Sequence, residues 1–362
     1  MDTKGKAIVY MILAAVWIFG VRCSKEQDIQ DIHTTTPYPL VVPPGFPQPL
    51  MNPDNPLTVE GVELGRHLFY EKKLSRDNTL SCAGCHKQEF AFSDTPNRLS
   101  KGVEGLDGKF NAMHIVNMAW LEHFFWDGRS PSLEDQAFHP IVDPLEMNTS
   151  WESVLKKLRE TPIYPPMFKK AFGSEEITVE RVTKAIAQFE RVLISGNSKF
   201  DKWRRGEATL SELELFGFTM FETERGDCFH CHGSTTTGNM FGAFGQLIFT
   251  NNGLEPDATM PLGRMAVTGN PSDRGKFKIP SLRNVAVTFP YFHDGRFQSL
   301  QEVIEFYNMG GHPSSTIDPN MKAAGMGRNW TQYEKSALLA FLNTLTDVEF
   351  LTDPRFSDPF QE

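Results

Sequence analysis

Cysteine is scarce in this chain. Five occur among 362 residues, too few for a disulfide-dense scaffold. An excess of basic charge is also missing. Lys and Arg total 36 against 45 Asp and Glu, for a net charge of −9 and a pI near 5.6. Nucleic acid is therefore not an expected partner. The same charge makes an acidic electron carrier a poorer partner, unless a local basic patch overrides it. Long apolar runs are nearly absent. One runs from Ala7 to Val21, behind Lys4 and Lys6. It is short for a membrane span and right for the core of a secretory signal. Cys23 follows at once. Its position suits a lipid-modified residue, although Gly20-Val21-Arg22 departs from the usual small-residue approach. Plain secretion and an uncleaved anchor stay open. All three put the folded part outside the cytoplasm, so a periplasmic protein is expected, with residues 1–23 as signal or lipoprotein segment.

Four of the five cysteines fall into two copies of one pattern. They are Cys82-Ala83-Gly84-Cys85-His86 and Cys228-Phe229-His230-Cys231-His232. Cys-x-x-Cys-His is the signature of c-type haem attachment. Each thiol bonds one vinyl group, and the adjacent His reaches the iron as proximal ligand. Zinc knuckles and disulfides are the alternatives. Zinc wants four converging ligands, whereas each pair here is followed directly by His. Two covalently bound haem c groups are expected.

Apolar residues make up 40% of the chain, enough for a real core, and the length allows two domains and a tail. Residues 24–56 are rich in proline and read as a tether, or else as ordered coil wrapped on the first domain. A helix is expected around Glu63–Phe69 ahead of the first haem motif, and another around Leu215–Phe221 ahead of the second. Both carry Gly followed by a large aliphatic and a Phe. Thr331-Gln332-Tyr333-Glu334 is a capping box, opening a helix with Ala337, Leu338, Phe341, Leu342 and Leu345 on its apolar face. That helix should pack across the opening helix of the second domain. Trp151–Phe172 and Val179–Ile194 also read as helices. Residues 197–206 read as a loop near a domain boundary, and Asn239–Pro280 as a long loop with one or two short strands. The expectation is a mostly α fold of two cytochrome c-like domains, residues 57–200 and 201–362, with long irregular loops.

Further motifs carry a family resemblance over about Gly61–Thr346. They are Phe125-Trp126-Asp127-Gly128-Arg129, Glu146-Met147-Asn148, Leu282-Arg283-Asn284, and Pro290-Tyr291-Phe292-His293-Asp294-Gly295. Glu305-Phe306-Tyr307-Asn308 with Gly310-Gly311 adds to them. With the haem motifs, the chain resembles the bacterial di-haem cytochrome c peroxidases and their relative MauG.

The resemblance implies roles. The first haem, held by Cys82, Cys85 and His86, is the one that meets hydrogen peroxide. Relatives that need reductive activation block this iron with a loop His. Here Val103 stands at that place, and residues 101–109 contain no His, Met or Tyr. His114 is the nearest other candidate, though a packed or surface role suits it better. Glu146 is implied as the proton-moving group and Gln136 as a distal residue that hydrogen-bonds peroxide. Trp126 is implied as the bridge between the haems. The second haem, held by Cys228, Cys231 and His232, stores or relays charge. Its sixth ligand falls on Tyr307 by spacing, with Met309 as the alternative; on one helix both cannot face the iron. Phenolate favours oxidised iron, whereas Met raises the reduction potential. A calcium ion is implied between the domains, on the Asn111 side chain and the Thr288 and Pro290 carbonyls. His67, His123, His139, His230, His293 and His312 receive no ligand role.

The expected reaction is reduction of hydrogen peroxide, with electrons from a small cytochrome c or a cupredoxin. The alternative is a MauG-like oxidation of residues on a protein substrate, through a high-valent state shared by both haems. A pure electron-transfer cytochrome is a third reading, against which Glu146 and the missing blocking ligand argue. A homodimer is compatible with the resemblance.

Overall fold

The computed structural model describes residues 33–49, 51–233 and 249–361. The signal segment, Cys23 and the start of the 239–280 stretch lie outside them. Five principal helices come first: α1 (Val59–Tyr70), α2 (Leu133–Val142), α3 (Trp151–Arg159), α4 (Tyr164–Phe172) and α5 (Val179–Val192). Five follow: α6 (Lys199–Arg204), α7 (Glu212–Phe221), α8 (Leu300–Met309), α9 (Gln332–Asn343) and α10 (Val348–Thr352). Each haem motif forms a single helical turn, Cys82–Cys85 and Phe229–His232. Two short antiparallel strands, β1 (Phe249–Thr250) and β2 (Phe277–Lys278), pair within the long loop. The fold is thus mostly α, as expected.

Two helix crossings of one kind organise it. Gly65 of α1 lies so close to α5 that an added Cβ would stand 1.9 Å from the Ala185 carbonyl oxygen. Gly217 of α7 meets α9 in the same way, 1.9 Å from Ala337. Phe189 and Phe341 flank the two contacts at the same 2.9 Å. This is the packing expected of α9 on α7, and only glycine permits it. Gly217→Val should therefore cost more than about 2 kcal/mol of stability through forced separation of the helices. Gly108→Ala, whose Cβ would meet nothing nearer than 3.5 Å, is the control. A thermal midpoint that falls equally in both variants would contradict this packing argument.

Thr331 and Glu334 form the expected capping box, and Ala337, Leu338, Phe341 and Leu342 are buried on α9. Two expectations need correction. The helix read over 151–172 is two helices, because Pro165 and Pro166 fit the first turn of α4 but would break a continuous helix. Residues 197–206 are not a loop. A Ser198–Asp201 capping box starts α6, and buried Asp201 takes a two-pronged ion pair from buried Arg283 at 2.8 and 3.1 Å. Of the two readings of the Pro-rich stretch, its described part follows the ordered coil. Its Tyr38, Leu40, Val42 and Phe46 pack on the body, and Trp120 Nε1 donates to the Pro47 carbonyl at 3.0 Å.

Residues from Thr34 onward form one compact unit. The first half's core includes Phe69, Phe92 and Phe189, and it also receives Phe350 and Phe356 from the end of the chain. The second half's core gathers Phe200, Phe221, Phe341 and Leu345.

Candidate active site

The first cavity is built around Cys82, Cys85 and His86. The two cysteines are free thiols on one helical turn. Burial pushes the Cys85 thiol up to about 11 and the Cys82 thiol higher, so both stay protonated. His86 Nδ1 lies 2.8 Å from the Phe92 carbonyl oxygen. Donation there fixes the ring and its tautomer, with the proton on Nδ1 and the lone pair on Nε2. Burial also lowers the pKa of His86, which keeps the imidazole neutral, as a ligand must be.

Helix α2 supplies the wall through Gln136, Ala137, Pro140 and Ile141. Glu146 follows on the turn after α2, its amide bonded to the Asp143 carbonyl at 3.0 Å. Its carboxyl is pushed up to about 7, by burial first and then by Asp143, with Arg129 opposing. The loop 101–109 presses on this turn. Val103 donates its amide to the Glu146 carbonyl at 2.9 Å, and a Cβ on Gly102 would meet the Leu145 carbonyl at 2.2 Å. The loop therefore holds the backbone that carries Glu146.

The second cavity contains Cys228, Cys231, His232 and Tyr307. The two thiols are free, and burial pushes each up to about 12. His232 is lowered to about 4 by burial, with the Pro280 carbonyl opposing. Tyr307 projects from α8 into the cavity, and the Asn252 side-chain amide donates to its hydroxyl at 3.2 Å. Burial raises its pKa. Met309, two residues on, is 60% exposed.

Trp126, His114, Asn111 and Lys278 line both cavities and form part of the wall between them. Trp126 Nε1 donates to the Asn111 carbonyl at 2.8 Å. His293 occupies the matching place in the second half. Phe125 and Phe292 both take positive φ, 67° and 70°, each within a small bridged turn and each followed by an aromatic ring and Asp-Gly-Arg. The rings of Trp126 and His293 lie 6.4 Å apart. His114 is half-buried, its pKa lowered to about 4 by desolvation first and then by Lys278 and His86. His67, His123, His139, His230 and His312 line neither cavity.

Both donor sets suit haem c. Each cavity holds two protonated thiols, a neutral buried imidazole and a predominantly apolar lining. Asn111, Thr288 and Pro290 also line the second cavity. Asn111 spends Nδ2 on the Arg98 carbonyl. Its Oδ1 and the Thr288 and Pro290 carbonyl oxygens accept no hydrogen bond among the described residues. Elsewhere, Glu224, Asp227 and His230 cluster, but Lys322 and Arg328 already neutralise the two carboxylates. Two polar contributors were passed over in the sequence, Asn252 and Lys278. Both sit in the long loop, where no periodicity marks which side chains turn inward.

A family model described as di-haem cytochrome c peroxidase matches residues 59–209. Cytochrome c551 peroxidase of Nitrosomonas europaea is 36% identical over 293 residues, covering 80% of this chain and 81% of that protein. Methylamine utilization protein MauG of Methylorubrum extorquens is 38% identical over 294 residues, covering 80% and 79%. A solved MauG-like protein associated with microbial copper homeostasis superposes with a TM-score of 0.82 at 36% identity, covering 90% of this chain and all of that one. Sequence, fold and the paired haem cavities agree: the chain belongs to the di-haem cytochrome c peroxidase and MauG family of peroxide-dependent oxidoreductases.

Proposed function

We propose that this enzyme reduces hydrogen peroxide at the first cavity, with electrons delivered by a small cytochrome c or cupredoxin. The observation that carries the reading is the inequality of the two cavities. One holds a half-buried carboxyl of near-neutral pKa and the other a half-buried tyrosine. The first haem, when bound through Cys82, Cys85 and His86, supplies an iron at which peroxide coordinates and is split. The side chains do the rest. Glu146 accepts the proton from the inner peroxide oxygen and returns it to the outer one, which leaves as water. Gln136, on the same wall, offers hydrogen bonds that orient the peroxide. Trp126, bordering both cavities, carries oxidising equivalents between them. Tyr307 closes the second site, and the exposure of Met309 favours this assignment. Asn111, Thr288 and Pro290 would hold calcium beside Trp126.

Tyr307, which lines the second cavity, also favours a second reading, in which the stored oxidising power acts on residues of a protein substrate as in MauG. Periplasmic location, with Cys23 as a lipid anchor, belongs to the same proposal. Stopped-flow mixing of the diferric protein with peroxide tests the first step. The first haem should react without prior reduction, because loop 101–109 contains no His, Met or Tyr to block it. An obligatory reductive activation would overturn this point, with His114 the residue to replace next. Rapid re-reduction by an added cytochrome distinguishes peroxidase from protein oxidation.

A further inference from the structure

Lys278 is the buried cation that the reaction leaves unused. It ends β2, is 6% exposed and borders both cavities. Its backbone amide donates to the Trp126 carbonyl at 2.8 Å. Among the described residues its ammonium hydrogen-bonds only the His123 carbonyl, at 3.3 Å, and it lies 5.7 Å from the centre of the Phe124 ring. No carboxylate pairs with it among the described residues. The other cations at these cavities are accounted for. Arg328 serves Asp227, Arg129 serves Asp127, Lys101 serves Asp107, and Lys109 is exposed. A buried ammonium without an anion is costly, and burial alone already lowers its pKa to about 8. Phe124, beneath the ammonium, lines the first cavity and not the second.

We propose that Lys278 is the counter-charge for a propionate of the haem attached at Cys82 and Cys85. The site in the first half is then completed by a residue of the second half. Haem c keeps two carboxylates that no thioether consumes, and the wall at Lys278 is where an anion would meet an unpaired cation. The inference rests on the cofactor reading above. A fixed positive charge next to this haem favours its reduced form, so its reduction potential should depend on Lys278.

The test uses full-length holoprotein and the variants Lys278→Met, Lys278→Gln and Lys278→Arg. A pyridine haemochrome assay first counts thioether-bound haems. Resonance Raman then reads the propionate bending band of the high-spin haem, and spectroelectrochemistry reads the midpoint of each haem. Lys278→Met should shift that band and lower the midpoint of the first haem, with a smaller change at the second. Lys278→Gln should lower the midpoint in the same direction, which guards against a misfolded Met variant. Lys278→Arg should keep the wild-type midpoint. An unmoved band and midpoint, or a shift confined to the second haem, overturns the inference while the cofactor reading stands. Fewer than two bound haems in the wild type overturns both.

Discussion

Glu146→Gln should slow peroxide cleavage by about 10²–10⁴-fold, the range for loss of a positioned acid–base group. Both haems should stay attached, because neither haem motif depends on this side chain. Glutamine keeps the shape and most of the polarity of the site but cannot take up and return a proton. The pKa of about 7 gives the prediction a second arm. The reaction needs the carboxylate form. About a tenth of the molecules present it one unit below the pKa, and about nine-tenths one unit above. The wild-type rate should therefore rise as pH passes upward through about 7, and the Gln variant should lose this step. Arg129→Ala should move the step upward, since Arg129 is the group that opposes burial and Asp143. If the Gln variant turns over at the wild-type rate, Glu146 has no part in the mechanism.

The second large effect is expected at Tyr307. Tyr307→Phe removes the only oxygen that α8 points into the second cavity, and the low-spin spectrum of that haem should be lost or replaced. Met309→Leu should leave the spectrum unchanged, because Met309 turns to solvent just before the left-handed Gly310 that ends the helix. Loss of a phenolate donor should also raise the midpoint of the second haem. Oxidising equivalents would then be held less well, and the state formed on peroxide addition should decay faster. A spectrum altered only by the Met309 change would reverse the ligand assignment. A normal spectrum in both variants would mean that the second iron takes its ligand from elsewhere.

Much of the chemistry was legible before any fold was known, because it is local. A Cys-x-x-Cys-His turn needs only five consecutive residues to place two thiols and an imidazole together. The helices with strong apolar stripes were legible for the same reason. So was the capping box at Thr331, where side chain and backbone partners lie within one turn. What misled was also local. Charge and short length made 197–206 read as a loop, yet the pairing of Asp201 with the distant Arg283 makes it a buried helix. Proline content left the arm open between tether and ordered coil, and Tyr38, Leu40 and Phe46 had enough apolar surface to bind it down.

By itself the sequence determined the number and chemistry of the haem attachments, the helical class, and the repeat that puts Gly65 and Gly217 at equivalent crossings. The tertiary structure decided how the two attachments differ. Whether Tyr307 or Met309 faces inward depends on which side of α8 the body buries. The near-neutral pKa of Glu146 comes from the burial of its turn beneath loop 101–109 and from Asp143. Trp126 and Lys278, far apart in the chain, border both cavities only because β2 lies against the Trp126 turn. Burial and charge proximity are properties of the packed chain, so spacing alone could not have shown them.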